Sequence, residues 1–243
     1  MASILTKIPP LSEIEPWEPS ITDGLTLLSL LISGVLLLSL LVPYISPREM
    51  SLDLEIRYEA LFTLFFELFV AGALLRKYPI LLARLFSRRP CWKAGLAGYV
   101  VAMPLLFAAG VLTTYIFFLF GREPAHQNVY TYLTETKSLG NILLLSGAGC
   151  IIAPFAEEVI FRGVVYRAFR NSLPAKTCIA LNGLLFAAFH LDISNMLGLF
   201  VLGCVMAYLV ERHNSLWPCI TLHLVNNLFA TTAVLALRIA GKT

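Results

Sequence analysis

Long apolar runs separated by short polar stretches make up most of the chain from Leu25 onward. Seven of these runs predict membrane-spanning helices, because a helix of about 20 apolar residues crosses the hydrocarbon core of a bilayer. The predicted segments are residues 24–45, 57–75, 94–120, 139–170, 177–192, 195–211 and 216–238. The pattern therefore predicts an all-α, polytopic membrane bundle of seven to eight transmembrane helices.

Three stretches interrupt this regular pattern. Residues 1–22 contain four prolines, which predicts an extended or interfacial N-terminal leader. Residues 76–90 mix basic and apolar side chains, a combination typical of a helix lying in the membrane surface. Pro154 lies inside the fourth run, where we expect the helix to be tilted or broken. The sequence contains no internal repeat and no stretch of different composition that would mark a second domain, so residues 23–243 are expected to form one domain.

Composition agrees with a membrane location. The chain is 58% hydrophobic and 14% charged, whereas soluble domains carry about 25% charged residues. We therefore expect a multi-pass integral membrane protein of the plasma or inner membrane. The net charge of +3 is too small to indicate a nucleic-acid partner. The five cysteines form no CxxC pair, which argues against a disulfide framework and against a thiolate zinc site.

Three of the apolar segments carry polar side chains that a simple membrane anchor does not need. Ionisable groups are rare within spanning helices and mark functional sites by default. Counted from the basic ends of the segments, these residues lie in two adjacent layers, about 12 Å and about 18–21 Å deep. We therefore expect them to meet. They are Glu157, Glu158 and Arg162 in the fourth segment, His190 in the fifth, and His223 and Asn227 in the seventh.

Helical geometry separates the two adjacent glutamates. Glu158 and Arg162 are four residues apart, so they can form an ion pair on one face. Glu157 is rotated by about 100° from Glu158 and faces a different neighbour. A buried carboxylate without a cation beside it is suited to general acid/base work. Polar residues in helical bundles also serve as structural contacts between helices, and this interpretation remains an alternative for the Glu158–Arg162 pair.

Three ordered motifs carry a family resemblance. EEVIFRG at residues 157–163 resembles the EExxxR signature of the CAAX prenyl protease and bacteriocin-processing family of intramembrane endopeptidases. FAAFH at 186–190 is similar to its FxxxH motif, and HLVNN at 223–227 to its HxxxN/D motif. The resemblance covers about residues 140–235. This core would lie within a single intramembrane protease domain formed by residues 23–243.

The resemblance implies a glutamate-dependent endopeptidase that uses no metal or other cofactor. Glu157 and His190 would activate the attacking water, while His223 and Asn227 would stabilise the oxyanion. Hydrolysis of a peptide bond needs both a base for water and donors aimed at the developing negative oxygen.

The remaining two motif residues have a supporting role in this picture. Glu158 and Arg162 would order the site rather than react. The implied partners are membrane lipid and a peptide or protein substrate that is prenylated or carries a hydrophobic segment.

Two other functions are compatible with the same residues. His190, His223 and Glu157 could form a zinc site, although the chain lacks the HExxH pattern of a tightly held zinc. Alternatively, the fold could serve as a non-catalytic regulatory scaffold, or its buried glutamate and histidine could relay protons. Activity after chelation tests the first alternative, and cleavage of any peptide by the purified chain tests the second.

Overall fold

The computed structural model describes residues 18–45, 51–87, 91–125 and 128–241. Within these residues the protein is built from nine helices and contains no strand, which confirms the predicted all-α class. The helices are α1 (Ile21–Ile45), α2 (Leu52–Lys77), α3 (Pro79–Ser87), α4 (Trp92–Leu119), α5 (Asn128–Glu135), α6 (Leu139–Arg170), α7 (Ala175–Phe189), α8 (Met196–His213) and α9 (Trp217–Ile239).

Five of the described helices are long and apolar enough to cross a membrane: α2 from Ile56, α4, α6, α8 and α9. The protein is therefore a multi-pass integral membrane protein. Helix α1 contributes a shorter apolar stretch over Ile21–Gly34, and α7 has only 15 residues. All seven predicted segments correspond to helices. The fifth ends at Phe189 rather than at residue 192, because the chain turns directly after it.

The predicted interruptions differ in outcome. The basic stretch at 76–90 contains the short helix α3, whose Leu81, Leu82 and Leu85 are buried against the core. Most of the predicted leader, residues 1–17, lies outside the described residues, as do residues 88–90. Helix α1 begins just after Ser20, whose hydroxyl and backbone N–H both bond Asp23.

Helix α6 continues through Pro154 instead of breaking there. Two π-helical turns, Ala148–Ile152 and Val159–Val165, enclose a short α-helical stretch that contains the proline. A π turn shifts the hydrogen bonds by one residue, so the helix loses little from the N–H group that proline lacks. Every residue from Val159 to Val165 is buried. This part of α6 is therefore the centre of the bundle, packed against α1, α2, α3, α7 and α8.

Helices α7 and α8 pack with their backbones in contact. A Cβ added at Gly183 would lie 2.5 Å from Cys204 Sγ and 2.9 Å from the Phe200 carbonyl oxygen. One added at Gly203 would lie 2.8 Å from the Gly183 Cα. Small residues allow such close approach between membrane helices, where dispersion replaces the hydrophobic effect as the driving force. The contact fixes α7, which ends at Phe189 directly before His190, against α8.

We expect Gly183→Ala to destabilise the protein by about 1–3 kcal/mol, because the added methyl group would push α8 away from α7. The measurement is chemical unfolding in mixed micelles. Gly198→Ala, on α8 with open space around it, is the control and should be neutral or stabilising by up to about 1 kcal/mol. Equal unfolding free energies for the two variants would contradict the close α7–α8 packing.

Candidate active site

A buried ion pair with a histidine beside it forms the base of the site. Arg162 Nη1 donates to Glu158 Oε1 at 3.0 Å, and both side chains are fully buried. His223 Nδ1 bonds the same carboxylate oxygen at 2.8 Å. Arg162 Nη2 also donates to the Gly203 carbonyl at 3.3 Å, and its guanidinium carbon lies 4.3 Å from the Phe186 ring centroid. The guanidinium therefore links α6 to α7 and α8.

Glu157 faces a different set of neighbours. Its Oε2 lies 3.8 Å from His190 Nε2 and 3.9 Å from His223 Nε2. The Glu157 side chain is 14% exposed, whereas that of Glu158 is fully buried. Glu157 Oε2 makes no direct hydrogen bond within the described part of the protein. The two adjacent glutamates are thus separated, one held by a cation and the other directed at two imidazole rings.

The orientation of each imidazole follows from its Nδ1 partner. His190 Nδ1 lies 2.8 Å from the Phe186 carbonyl oxygen, which can only accept, so Nδ1 carries the proton. His223 Nδ1 faces the Glu158 carboxylate, which likewise accepts. Each ring therefore presents its Nε2 to Glu157. In the neutral His190 ring, Nε2 is then a hydrogen-bond acceptor, whereas a His223 ring protonated on both nitrogens would donate from Nε2.

Phe186 has more contacts in the site than the sequence alone indicated. Its carbonyl orients His190, and its ring centroid lies 4.5 Å from the His190 ring and 5.7 Å from the His223 ring. The same ring covers the Arg162 guanidinium. The spacing of four residues between Phe186 and His190 is the sequence signal for this role, since it puts both on one helical face.

Asn227 is held by the π-helical turn of α6. Its Nδ2 donates to the Gly149 carbonyl at 2.8 Å. That carbonyl is available because the Ala153 N–H bonds Ala148, five residues back, and because Pro154 has no N–H to offer. Asn226 Nδ2 donates to Asn227 Oδ1 at 3.2 Å, which orients the amide. The second hydrogen of Asn227 Nδ2 is left for another acceptor.

These groups line one cavity of about 730 Å³ between α6, α7, α8 and α9. The volume is within the range of about 300–1,000 Å³ that is usual for ligand sites. Its polar walls are formed by Glu157, His190, His223 and Asn227, together with Asp192 and Ser194 of the turn after α7. The sequence analysis did not single out these last two residues, because they lie in a short loop without a motif.

Another membrane glutamate lies close by. Glu67 of α2 lines a separate cavity of about 210 Å³ whose wall includes Gly149 and Ala153, which also line the larger one. Its Oε2 has no hydrogen-bond partner among the described residues. The available signal was an acid inside the second apolar run, but no spacing rule indicated a partner for it.

The arrangement does not favour the zinc alternative. Within the described residues, no group of three or more histidine, cysteine, aspartate or glutamate side chains is arranged so that it could hold a metal ion. A zinc ligand lies about 2.0–2.3 Å from the ion.

Comparison with known proteins agrees with the motif resemblance. Residues 139–229 match the family described as type II CAAX prenyl endopeptidase, Rce1-like. The chain is also 25% identical over 134 residues to a Bacillus subtilis (strain 168) protein named "Putative membrane peptidase YdiL". That alignment covers 55% of this chain and 52% of the relative, so the chain matches only about half of the curated relative's length. No solved structure matches the chain significantly.

Proposed function

We propose that this protein is an intramembrane endopeptidase, because residues 139–229 match the type II CAAX prenyl endopeptidase, Rce1-like family and carry the three motifs that resemble the CAAX prenyl protease and bacteriocin-processing family. It cleaves a membrane-associated or lipid-modified protein or peptide by glutamate- and histidine-activated water. The single observation that carries the proposal is the convergence of Glu157 Oε2 with the Nε2 atoms of His190 and His223 at 3.8 and 3.9 Å. These three atoms surround a position where a water molecule can be held and deprotonated.

Glu157 and His190 activate the nucleophile. A water molecule between them donates one hydrogen to Glu157 Oε2 and the other to His190 Nε2, which leaves an oxygen lone pair directed at the scissile carbonyl. On attack, the proton passes to Glu157. The same carboxyl group then gives that proton to the leaving nitrogen, so that one residue acts first as base and then as acid. No covalent enzyme intermediate forms.

His223 and Asn227 face the developing oxyanion. Asn227 has one amide hydrogen left after bonding Gly149. In its imidazolium form, His223 donates from both nitrogens: from Nδ1 to Glu158 and from Nε2 into the cavity. Fixed donors of this kind stabilise the tetrahedral intermediate strongly, because they need not reorganise when charge appears.

Glu158 and Arg162 position the catalytic groups without contacting the substrate. The carboxylate of Glu158 orients His223 through the 2.8 Å bond to its Nδ1. Arg162 compensates the buried charge of Glu158, and its bond to the Gly203 carbonyl ties the pair to α8. The Glu158 carboxylate and the Arg162 guanidinium carry opposite charges and are both fully buried. Such compensation makes a buried charged site tolerable in a membrane.

The turn after α7 supports the presence of water. A helix of 15 residues rises about 22 Å, less than the roughly 30 Å of a bilayer's hydrocarbon core. The turn that follows His190 and contains Asp192 and Ser194 is therefore expected at membrane depth. Non-helical polar backbone is tolerated there only when it is buried in protein or lines a water-filled cavity. Such a cavity supplies the water that hydrolysis consumes.

Asn227→Ala is expected to lower kcat by about 10²–10³-fold with little change in KM, because one oxyanion donor is lost. Asn226→Ala is the comparison, since it removes only the bond that orients Asn227 and should have a smaller effect. Asn227→Asp should be active only at low pH, where a protonated carboxyl can still donate. Full activity of the aspartate variant at neutral pH would remove Asn227 from the oxyanion site.

The proposed function is tested by mass spectrometry of membrane peptides from cells with the native protein or with Glu157→Ala. We expect new peptide ends that depend on Glu157, next to or within a hydrophobic segment. Identical peptide populations from the two strains would contradict an endopeptidase. The same comparison identifies the substrate, because only its cleavage products disappear in the variant.

Two rival functions differ from this proposal in the purified protein. A zinc-dependent protease would lose activity on exhaustive chelation, and we expect full activity to remain. A scaffold or a proton relay of the same fold would cleave no peptide at all. Cleavage by the chelated, purified chain therefore separates the proposal from both rivals in one assay.

A further inference from the structure

Leu191, directly after His190, has a backbone conformation that its side chain disfavours. Its φ is +51°, in the left-handed region. An L-residue with a Cβ is strained there, because the Cβ approaches a carbonyl oxygen. Glycine is the usual residue where a helix ends in this conformation. Within the described residues, Asn214 is the other non-glycine residue with positive φ.

The two residues with positive φ follow neighbouring helices, but only Asn214 makes a side-chain hydrogen bond there. Asn214 ends α8, tolerates this conformation, and accepts a hydrogen bond from Arg167 through its side chain. Leu191 ends α7, with its N–H bonded to the Ala188 carbonyl at 3.2 Å. That bond uses only backbone, so glycine would make it equally well. Leu191 is 74% exposed and adds little to the core.

The position of the Leu191 side chain points to another use. Leu191 lines the same cavity as Glu157 and His190. Ile193, two residues further, also lines this cavity and is also 74% exposed. Two aliphatic residues thus line the cavity in a turn whose other lining residues, Asp192 and Ser194, are polar. Apolar surface of this kind gains free energy only when something apolar covers it.

We propose that Leu191, supported by Ile193, determines specificity by contacting the substrate side chain next to the cleaved bond and selecting an apolar residue there. The inference rests on the proposed peptidase function. Consecutive Cα atoms are about 3.8 Å apart, so Leu191 is placed one residue from the imidazole that faces the reacting carbonyl. A peptide held with its scissile bond at Glu157 and His190 brings a flanking side chain onto Leu191.

Leu191→Gly separates a role in substrate binding from a role in the fold, because we expect it to weaken substrate binding while it raises the unfolding temperature. Relief of the left-handed strain should raise the unfolding temperature by about 2–4 °C. Loss of the apolar contact should raise KM by about tenfold with kcat nearly unchanged, as expected when uniform binding is lost. Leu191→Ala should show the same KM without the rise in Tm, because alanine keeps its Cβ. Leu184→Ala, exposed on α7 outside the cavity, should change neither quantity.

The assay uses internally quenched octapeptides in detergent micelles, with Leu, Ala or Asp at each central position. We expect the native protein to prefer Leu over Asp beside the cleaved bond, and we expect Leu191→Gly to lose most of that preference. An unchanged KM, an unchanged preference or a lower Tm in Leu191→Gly would overturn this inference alone, since the native protein would still cleave. Absence of cleavage by the native protein would overturn the proposed function and this inference with it.

Discussion

Glu157→Gln is expected to lower kcat by about 10⁴-fold while leaving the protein folded, because general acid/base catalysis at the reacting atom is lost. Glutamine has nearly the same shape as glutamate but cannot take the proton from water. The fold should not depend on the charge, since Glu157 Oε2 has no direct hydrogen-bond partner among the described residues. The measurements are kcat on a cleaved peptide and thermal unfolding of the same preparation.

Glu135→Gln provides the matched control for this substitution. Glu135 ends α5 and is exposed, outside the cavities that contain Glu157 and Glu67. It makes the same change of charge on the protein without touching the site, so both kcat and Tm should stay near the native values. A kcat of Glu157→Gln within tenfold of the native value would show that another group activates the water.

Glu158→Gln should have its main effect on stability. The substitution leaves the fully buried Arg162 without an anionic partner and weakens the 2.8 Å bond to His223. Removal of one partner of a buried ion pair typically destabilises by about 3–5 kcal/mol, because the remaining charge is buried without compensation. Chemical unfolding in mixed micelles measures this loss. Activity should fall as well, because His223 loses the group that orients it.

A double substitution distinguishes this cause from general damage to the core. Arg162→Met in the Glu158→Gln background removes the stranded cation, so the double variant should be more stable than the sum of the two single changes predicts. Strict additivity would mean that the two residues do not act as a pair. Equal stability losses in Glu157→Gln and Glu158→Gln would also contradict the division of roles between the adjacent glutamates.

The helices and the convergence of the polar residues could be predicted from the sequence, because both predictions rest on local patterns. Apolar runs indicate spanning segments, and the spacing between Glu158 and Arg162 decides which face each occupies. Depth along straight helices was sufficient to bring His190 and His223 to Glu157. These inferences need only the rise and rotation of an α-helix.

The remaining features depend on contacts between distant parts of the chain. Pro154 was expected to tilt or break α6, yet the helix continues through it by means of π-helical turns. The Gly149 carbonyl that these turns leave free accepts a hydrogen bond from Asn227 of α9. No local sequence pattern indicates which backbone carbonyl will accept a hydrogen bond from a side-chain amide on a distant helix. The early end of α7 likewise follows from the left-handed turn at Leu191. Sequence propensity argues against leucine in that conformation, so the turn could not have been predicted.

The catalytic roles of the motif residues remain predictions, and one measurement tests them most directly. Purified, chelated protein is incubated in ¹⁸O-labelled water with the membrane peptides that depend on Glu157 in cells. Mass spectrometry then reads the new carboxyl termini. Hydrolysis by activated water predicts new termini that carry ¹⁸O with the native protein and none with Glu157→Gln. Labelled termini produced equally by both proteins, or by neither, would contradict a glutamate-dependent intramembrane endopeptidase.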